Sequence, residues 1–288
     1  MSSKRLYKAS KLYFLTGMCL FLLITENAFS KVPHTLCQRL NHIIAYAERT
    51  GVNEDKFDYG QLSSAQIFLM SEAHGFSSTM ETMGLISRNS ETWSTSIKKC
   101  AALEWPSTMS LKKLEEDVFP KLPSRIREFH QNMIGYYQDR GFRIFLIDND
   151  KFADYSAREN AMVDRMKDLI ERRICDKVVM SIGKAHLVNH YPTHRLVLQE
   201  RLRAVGLDTV TFNIQSQTDY KVYGSPKAKS SRDLSSWGGT CPDSNRNYFK
   251  SALIFPNSGL RLRFFPTRDS LGEWTSFDYT LLAPDYGF

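Results

Sequence analysis

Apolar positions along this chain fall into two alternating rhythms. Leu36, Leu40, Ile43, Ile44 and Ala47 recur at helical spacing, and Gly51 follows as a stop signal. Short unbroken apolar runs come next, each of buried-strand type: Ala65–Met70, Cys100–Leu103, Phe142–Ile147, Lys177–Ile182 and Thr209–Ile214. Helical stripes lie between them. One runs from about Thr79 to Arg88 behind Ser78-x-x-Glu81, and a second marks Leu111, Leu114 and Val118 between Ser110 and Pro120. A third marks Ile126, Phe129, Met133, Ile134 and Tyr137 and stops at Gly141. The last two cover Ala157–Arg173, behind Ser156-x-x-Glu159, and His194–Val205. Both Ser-x-x-Glu patterns read as capping boxes. Apolar strands alternating with amphipathic helices predict an α/β fold, with a mostly parallel sheet covered by helices on both faces.

The ends of the chain break this rhythm. Ser216–Asp243 is polar, and then Tyr248–Phe255 and Leu260–Phe265 flank Asn257-Ser-Gly259. That pattern predicts a C-terminal β-hairpin appendage on the sheet edge. At the other end, Lys4, Arg5, Lys8 and Lys11 precede an apolar run of 13 residues, Leu12–Ile24, and then Ala28-Phe-Ser30. A bilayer span needs about 20 apolar residues. The segment therefore predicts a signal peptide cleaved before Lys31, leaving no stable membrane span. The expected organisation is a signal peptide over 1–30, an α/β domain over 31–215, and a loop-and-hairpin extension of the same domain over 216–288. The expected location is exported, periplasmic or secreted.

Composition narrows the function classes. A chain of 288 residues with 42% hydrophobic and 24% charged positions is neither collagen-like nor disordered. Residues 1–30 hold four basic side chains and one acidic one, so cleavage lowers the net charge from +7 to +4. No Lys/Arg stripe interleaves with aromatics, which argues against nucleic acid as a partner. Cleavage also leaves an even set of cysteines, Cys37, Cys100, Cys175 and Cys241, which permits disulfides in an exported chain without naming the pairs.

In parallel sheets, ligands bind beyond the carboxyl ends of the strands. Those ends are chemically alike here. Met70 is followed by Ser71-Glu72-Ala73-His74, Leu103 by Glu104, Ile147 by Asp148, and Ile182 by Gly183-Lys184-Ala185-His186. Arg158 opens the helix that also carries Met162, Arg165, Met166 and Leu169 on one face, close to the Asp148 strand end. Arginine on an apolar face calls for a partner or an anionic ligand. Other chemistries lack their residues. His186-Leu-Val-Asn-His190 has Leu187 where a zincin needs its glutamate, and Val179–Gly183 lacks the first glycine of a nucleophile elbow.

Glu72-x-His74 after a strand, an acid after the next, an arginine-led helix and Gly183-x-x-His186 form an ordered set. The set resembles the superfamily that joins erythromycin esterase-like hydrolases, ChaN-like haem-uptake proteins and Tiki/TraB-type proteins. The resemblance covers residues 65–215, and Ser71 stands where the family pattern has a glycine. It implies a hydrolase acting on a small-molecule or peptide substrate, with His74 as the base that activates water. Glu72 and Glu104 would orient or polarise that base, His186 would be a second acid/base or oxyanion partner, and Arg158 an electrostatic clamp, with Asp148 in the same cluster. The Tiki-type branch implies a divalent metal on His74, His186 and Glu72. The ChaN-like branch implies the alternative, a haem- or iron-binding uptake protein without catalysis, for which Tyr155 and Tyr191 lie near the motif in sequence. A non-enzymatic secreted interaction protein is the third class.

Overall fold

The computed structural model describes residues 45–72, 79–149, 155–183, 186–188, 196–216, 252–257 and 277–283. All of them belong to one compact unit, Ile43–Gln217 with Asn247–Phe288. The segment read as a signal peptide lies outside the described residues, as do His74, Tyr191, Cys37 and Cys241.

Among the described residues, eight strands form one sheet in the order β1-β7-β8-β6-β2-β5-β3-β4. They are β1 (Val52–Asn53), β2 (Ile67–Glu72), β3 (Lys99–Pro106), β4 (Arg143–Asp148), β5 (Lys177–Gly183), β6 (Thr209–Ser216), β7 (Leu253–Pro256) and β8 (Tyr279–Ala283). The pairs from β8 through β6, β2, β5 and β3 to β4 are parallel, and β7 lies antiparallel between β1 and β8. Among the described residues, helices α1 (Thr79–Glu91), α2 (Ser124–Asp139), α3 (Tyr155–Glu171) and α4 (Leu198–Ala204) cover the sheet.

Unbroken apolar runs follow from burial on both faces. Phe68, Met70, Ala101, Leu103 and Val179 pack toward α1 and α2, against Leu85, Ile86, Phe129, Met133 and Tyr137. The alternate residues Ile67, Leu69, Ala102, Val178 and Met180 pack toward α3 and α4, against Met162, Met166, Leu198 and Leu202. Gly51 closes the helical residues 45–50 as predicted, donating its N–H to the Ala47 carbonyl at 2.7 Å, and a Cβ there would collide with that oxygen. Gly141 ends α2 with φ +72°, a conformation glycine adopts without strain. Among the described residues no helix is long and apolar enough to cross a membrane.

Three local expectations change. The stretch behind Ser110 is one short α turn (Leu111–Lys113), a π turn (Leu114–Val118) and a 3-10 turn (Phe119–Lys121), so Pro120 sits inside the last turn instead of stopping a helix. The Ser156-x-x-Glu159 pattern is not a cap, because α3 begins at Tyr155 and Glu159 is fully buried beside His186. The C-terminal strand pair exists beyond β6, but β7 pairs with Tyr279–Ala283. Asn257 explains that choice: its N–H donates to the Asp278 carbonyl at 2.9 Å, and its side-chain oxygen accepts from Thr280 Oγ1 at 2.8 Å. The residue read as a tight turn is tied to the start of β8. Leu260–Phe265 lies outside the described residues.

Cys100 and Cys175 form a disulfide joining the amino end of β3 to the residue run entering β5, across 75 residues of chain. A loop of that length gives about 4 kcal/mol by the chain-entropy account. A non-reducing peptide map of the protein is expected to contain the Cys100–Cys175 cross-linked peptide. The Cys100→Ala/Cys175→Ala variant is expected to unfold at lower urea, with a loss of about 3–4 kcal/mol; an unchanged urea midpoint would contradict it.

Candidate active site

Strand β5 leaves the sheet differently from its neighbours. The chain after β2 and after β3 goes on to α1 and α2 on one face, while the chain after β5 goes on to α4 on the other. Neighbouring exits that diverge to opposite faces open a crevice at the carboxyl edge, where α/β sheets bind ligands. Glu72 at the end of β2 pairs in register with Gly183 at the end of β5, so both borders of the crevice meet there.

Glu104 is the hub. Its Oε1 accepts from Arg158 Nη2 at 2.7 Å and lies 3.2 Å from His186 Nε2, while its Oε2 accepts from the Gly183 N–H at 3.0 Å. Arg158 turns the rest of its guanidinium to Asp148, with Nε donating to Oδ1 at 2.7 Å and Nη2 pairing with Oδ2. Asp148 Oδ1 also accepts from the Asn149 N–H at 2.7 Å. On the other side of the imidazole, His186 Nδ1 lies 3.3 Å from Glu159 Oε1, and Glu159 Oε2 lies 3.3 Å from Arg201 Nε. Arg201 is anchored in turn by Asn160 Oδ1 at 2.7 Å and Ser156 Oγ at 2.9 Å.

Thus Glu104, Asp148, Arg158 and His186, expected from four separate places in the chain, converge in one network. Glu72 ends β2 beside it, but its side chain, like the whole of His74, lies outside the described residues. Sequence reasoning missed Glu159 and Arg201. A signal for Glu159 was present, since Glu159, Met162, Val163 and Met166 share a helical stripe whose other members are buried. An acid on such a stripe needs a buried partner.

The electrostatics follow from these contacts. Burial alone would raise the Glu104 carboxyl, but His186, the Gly183 N–H and Arg158 outweigh it and hold the group down at about 2. Burial alone would lower the His186 imidazole, but Glu104 and Glu159 outweigh it and push it above its ordinary value. Burial likewise opposes the charge on Arg158, and Asp148 and Glu104 hold the guanidinium protonated. An imidazole facing a carboxylate on each nitrogen is satisfied as the doubly protonated cation. Among the described residues the network thus sets three acidic side chains, Glu104, Asp148 and Glu159, against three basic ones, Arg158, Arg201 and His186.

Glu104 also borders a cavity of about 210 Å³ on the α2 side, shared with Leu103, Trp105, Phe129, His130 and Met133. His130 was not singled out from the sequence. It belongs to the stripe Ile126, Phe129, His130 and Met133 on α2, where a histidine among apolar neighbours was the available signal.

No protein-family model and no curated protein sequence matches the chain. Solved structures similar to it include a Bacillus cereus protein at 10% identity and TM-score 0.48, covering 85% of this chain and 98% of that one. They also include the type III effector HopBA1, at 9% identity and TM-score 0.39, covering 79% of this chain and 91% of that one. A third is ChaN of Campylobacter jejuni, described with cofacial haem binding, at 12% identity and TM-score 0.37, covering 55% of this chain and 84% of that one. Fold likeness of this kind does not carry function, which has to be argued from the site.

The network makes stability depend on pH in a definite sense. Glu104, held low, contributes stability above its ordinary value of 4.5 that is lost as pH falls toward about 2. His186, held high, contributes stability fully present below 6.5 and lost as pH rises through its raised folded value. The stability difference between wild type and His186→Gln is therefore expected to be largest between about pH 4.5 and 6.5 and to shrink at alkaline pH. Arg158→Met, which strands two buried carboxylates, is expected to cost about 3–5 kcal/mol at neutral pH. Urea midpoints of the three proteins across pH 4–9 check both statements; a wild-type-to-His186→Gln gap that widens above neutrality would refute the first.

Proposed function

We propose that this chain is an exported hydrolase that activates water on an ester or peptide substrate at the carboxyl ends of β2, β3 and β5. One observation carries the reading: the chain assembles a network of buried ionised groups at the point where strand exits diverge, next to a cavity. Apolar residues of similar volume often serve stability as well as a buried ion pair does. Buried, perturbed titratable groups in a cleft are the usual mark of a chemical site.

Within this reading the roles divide. Glu104, held near 2, is a poor proton acceptor at neutral pH. It is a positioning residue, as are Asp148 and Glu159. The base is His74, two residues beyond the end of β2, with Glu72 to orient it. Arg158 is the electrostatic clamp that keeps the crevice ordered, and His186, held between Glu104 and Glu159, ties that clamp to β5 and α3. A divalent metal on His74, His186 and Glu72 would need His186 to release one of its two carboxylate contacts, Glu104 on Nε2 or Glu159 on Nδ1. Among the described residues no group of three His, Cys, Asp or Glu could hold a metal ion.

The haem- or iron-uptake alternative asks for an axial ligand opening onto a broad apolar slot. The cavity beside Glu104, about 210 Å³, falls below the range of roughly 300–1,000 Å³ for pockets that enclose drug-sized ligands. It suits part of a substrate better than a porphyrin. The Cys100–Cys175 disulfide supports export, since such bonds persist in oxidising compartments.

The test is turnover of a panel of p-nitrophenyl esters and peptide amides by the full chain, with haemin titrated in parallel. His74→Ala is expected to lower kcat at least about 100-fold, the share usual for a general base, while leaving thermal stability unchanged. A saturable Soret shift lost in His74→Ala/His186→Ala, with no turnover in the wild type, would replace the hydrolase with the uptake protein.

A further inference from the structure

The cavity beside Glu104 has a shape and lining of its own. Its floor is Leu103 and Ser181, neighbours in register on β3 and β5, both buried. Its roof is one stripe of α2, with Phe129 and Met133 buried and Ile126 and His130 half-exposed. Ser181 is what makes the space. It stands in register between Met70 on β2 and Leu103 on β3, on the face where the preceding inward residue of β5 is Val179. A serine there leaves unfilled the volume that a branched aliphatic side chain would take. Largely buried Glu104 and partly exposed Trp105, Ile126 and His130 form the mouth.

The walls are flat and aromatic. Trp105 and His130 meet edge to face at 5.1 Å, Phe129 and His130 do the same at 5.1 Å, and Phe119 stacks behind His130 at 5.8 Å. These contacts fix the planes of Trp105, Phe129 and His130 without filling the space between them. A dry apolar cavity of about 150 Å³ is enough to take benzene, so about 210 Å³ takes a substituted or fused ring. The polar groups set the charge. Glu104 is already matched by Arg158, His186 and the Gly183 N–H, so its side of the mouth offers no unbalanced charge.

We infer that this cavity is a binding site for a neutral planar ring group, phenyl- to indole-sized. If the hydrolase reading above holds, on which this last step rests, it takes an aromatic side group of the substrate next to the reacting bond. The ring lies between Phe129 and Trp105, with Met133 against its inner edge, a contact that polarisable sulfur favours.

The test uses the full chain and 4-fluorobenzyl alcohol, a neutral ring followed by its fluorine resonance, with fluorinated tert-butanol as the non-planar comparison. The wild type is expected to bind the aromatic alcohol saturably and at least about tenfold more tightly than the aliphatic one. Ile126→Trp, at the half-exposed mouth, is expected to weaken aromatic binding at least about tenfold with its melting temperature kept. Ser181→Val, which fills the floor and is tolerated by neighbouring β5 positions that are already valine, is expected to do the same. Absence of saturable binding, or equal binding in all three proteins, would overturn the site. Ring binding lost in the variants, in a protein that turns over neither ester nor peptide amide, would support the pocket and refute the hydrolase reading instead.

Discussion

The carboxylate of Glu104 holds the carboxyl edge of the sheet together. It leaves water only because three donors from three parts of the chain replace it: a guanidinium from α3, an imidazole from beyond β5 and a backbone N–H at the end of β5. Each donor does structural service in turn. Arg158 draws α3 to β4 through Asp148, His186 ties the chain past β5 to Glu159, and the Gly183 N–H sets where β5 ends. A buried carboxylate is costly when any one partner is lost. The position of β3, β4, β5 and α3 at this edge is therefore a single coupled arrangement, and its geometry is fixed before any ligand arrives.

That coupling decides which parts of the molecule could be read from the chain. The strands were legible because burial on both faces turns them into unbroken apolar runs, and Val178–Met180 has no polar residue to interrupt it. Glu104, Asp148, Arg158 and His186 were legible because they occupy equivalent places after successive strands. Glu159 was not, since a serine three residues earlier offers a complete local explanation for a glutamate at a helix start. Tertiary demand for a partner to His186 overrode the local one. The C-terminal pairing failed for a related reason: Asn257-Ser-Gly has the composition of a tight turn, but Asn257 spends its hydrogen bonds on Asp278 and Thr280. Short-range chemistry identified the residue type and mistook its partner.

The two halves of the site sit on opposite sides of one strand edge. Leu103 and Ser181 face α2 and leave a ring-sized space there, while Arg158 and Glu159 approach from α3 on the other side. Glu104 touches both, as part of the cavity mouth and as the centre of the ion network. Movement of the cavity wall at Glu104 would disturb the hydrogen bonds to Arg158 and His186, and loss of either would release the wall. Cavity wall and ion network are thus mechanically joined through one side chain.

Pairing within the network has a further consequence for selectivity. Among the described residues, three acidic and three basic side chains paired at 2.7–3.3 Å balance one another. What remains is short-ranged: fixed dipoles, the apolar walls and the shape between Trp105 and Phe129. Such a site discriminates by fit and by desolvation, and a ligand carrying its own charge would pay to shed water without finding an unpaired counter-ion. Among the described residues, the ionic groups thus serve to hold the carboxyl edge of the sheet in place, and an uncharged group at the cavity mouth meets no desolvation penalty of this kind.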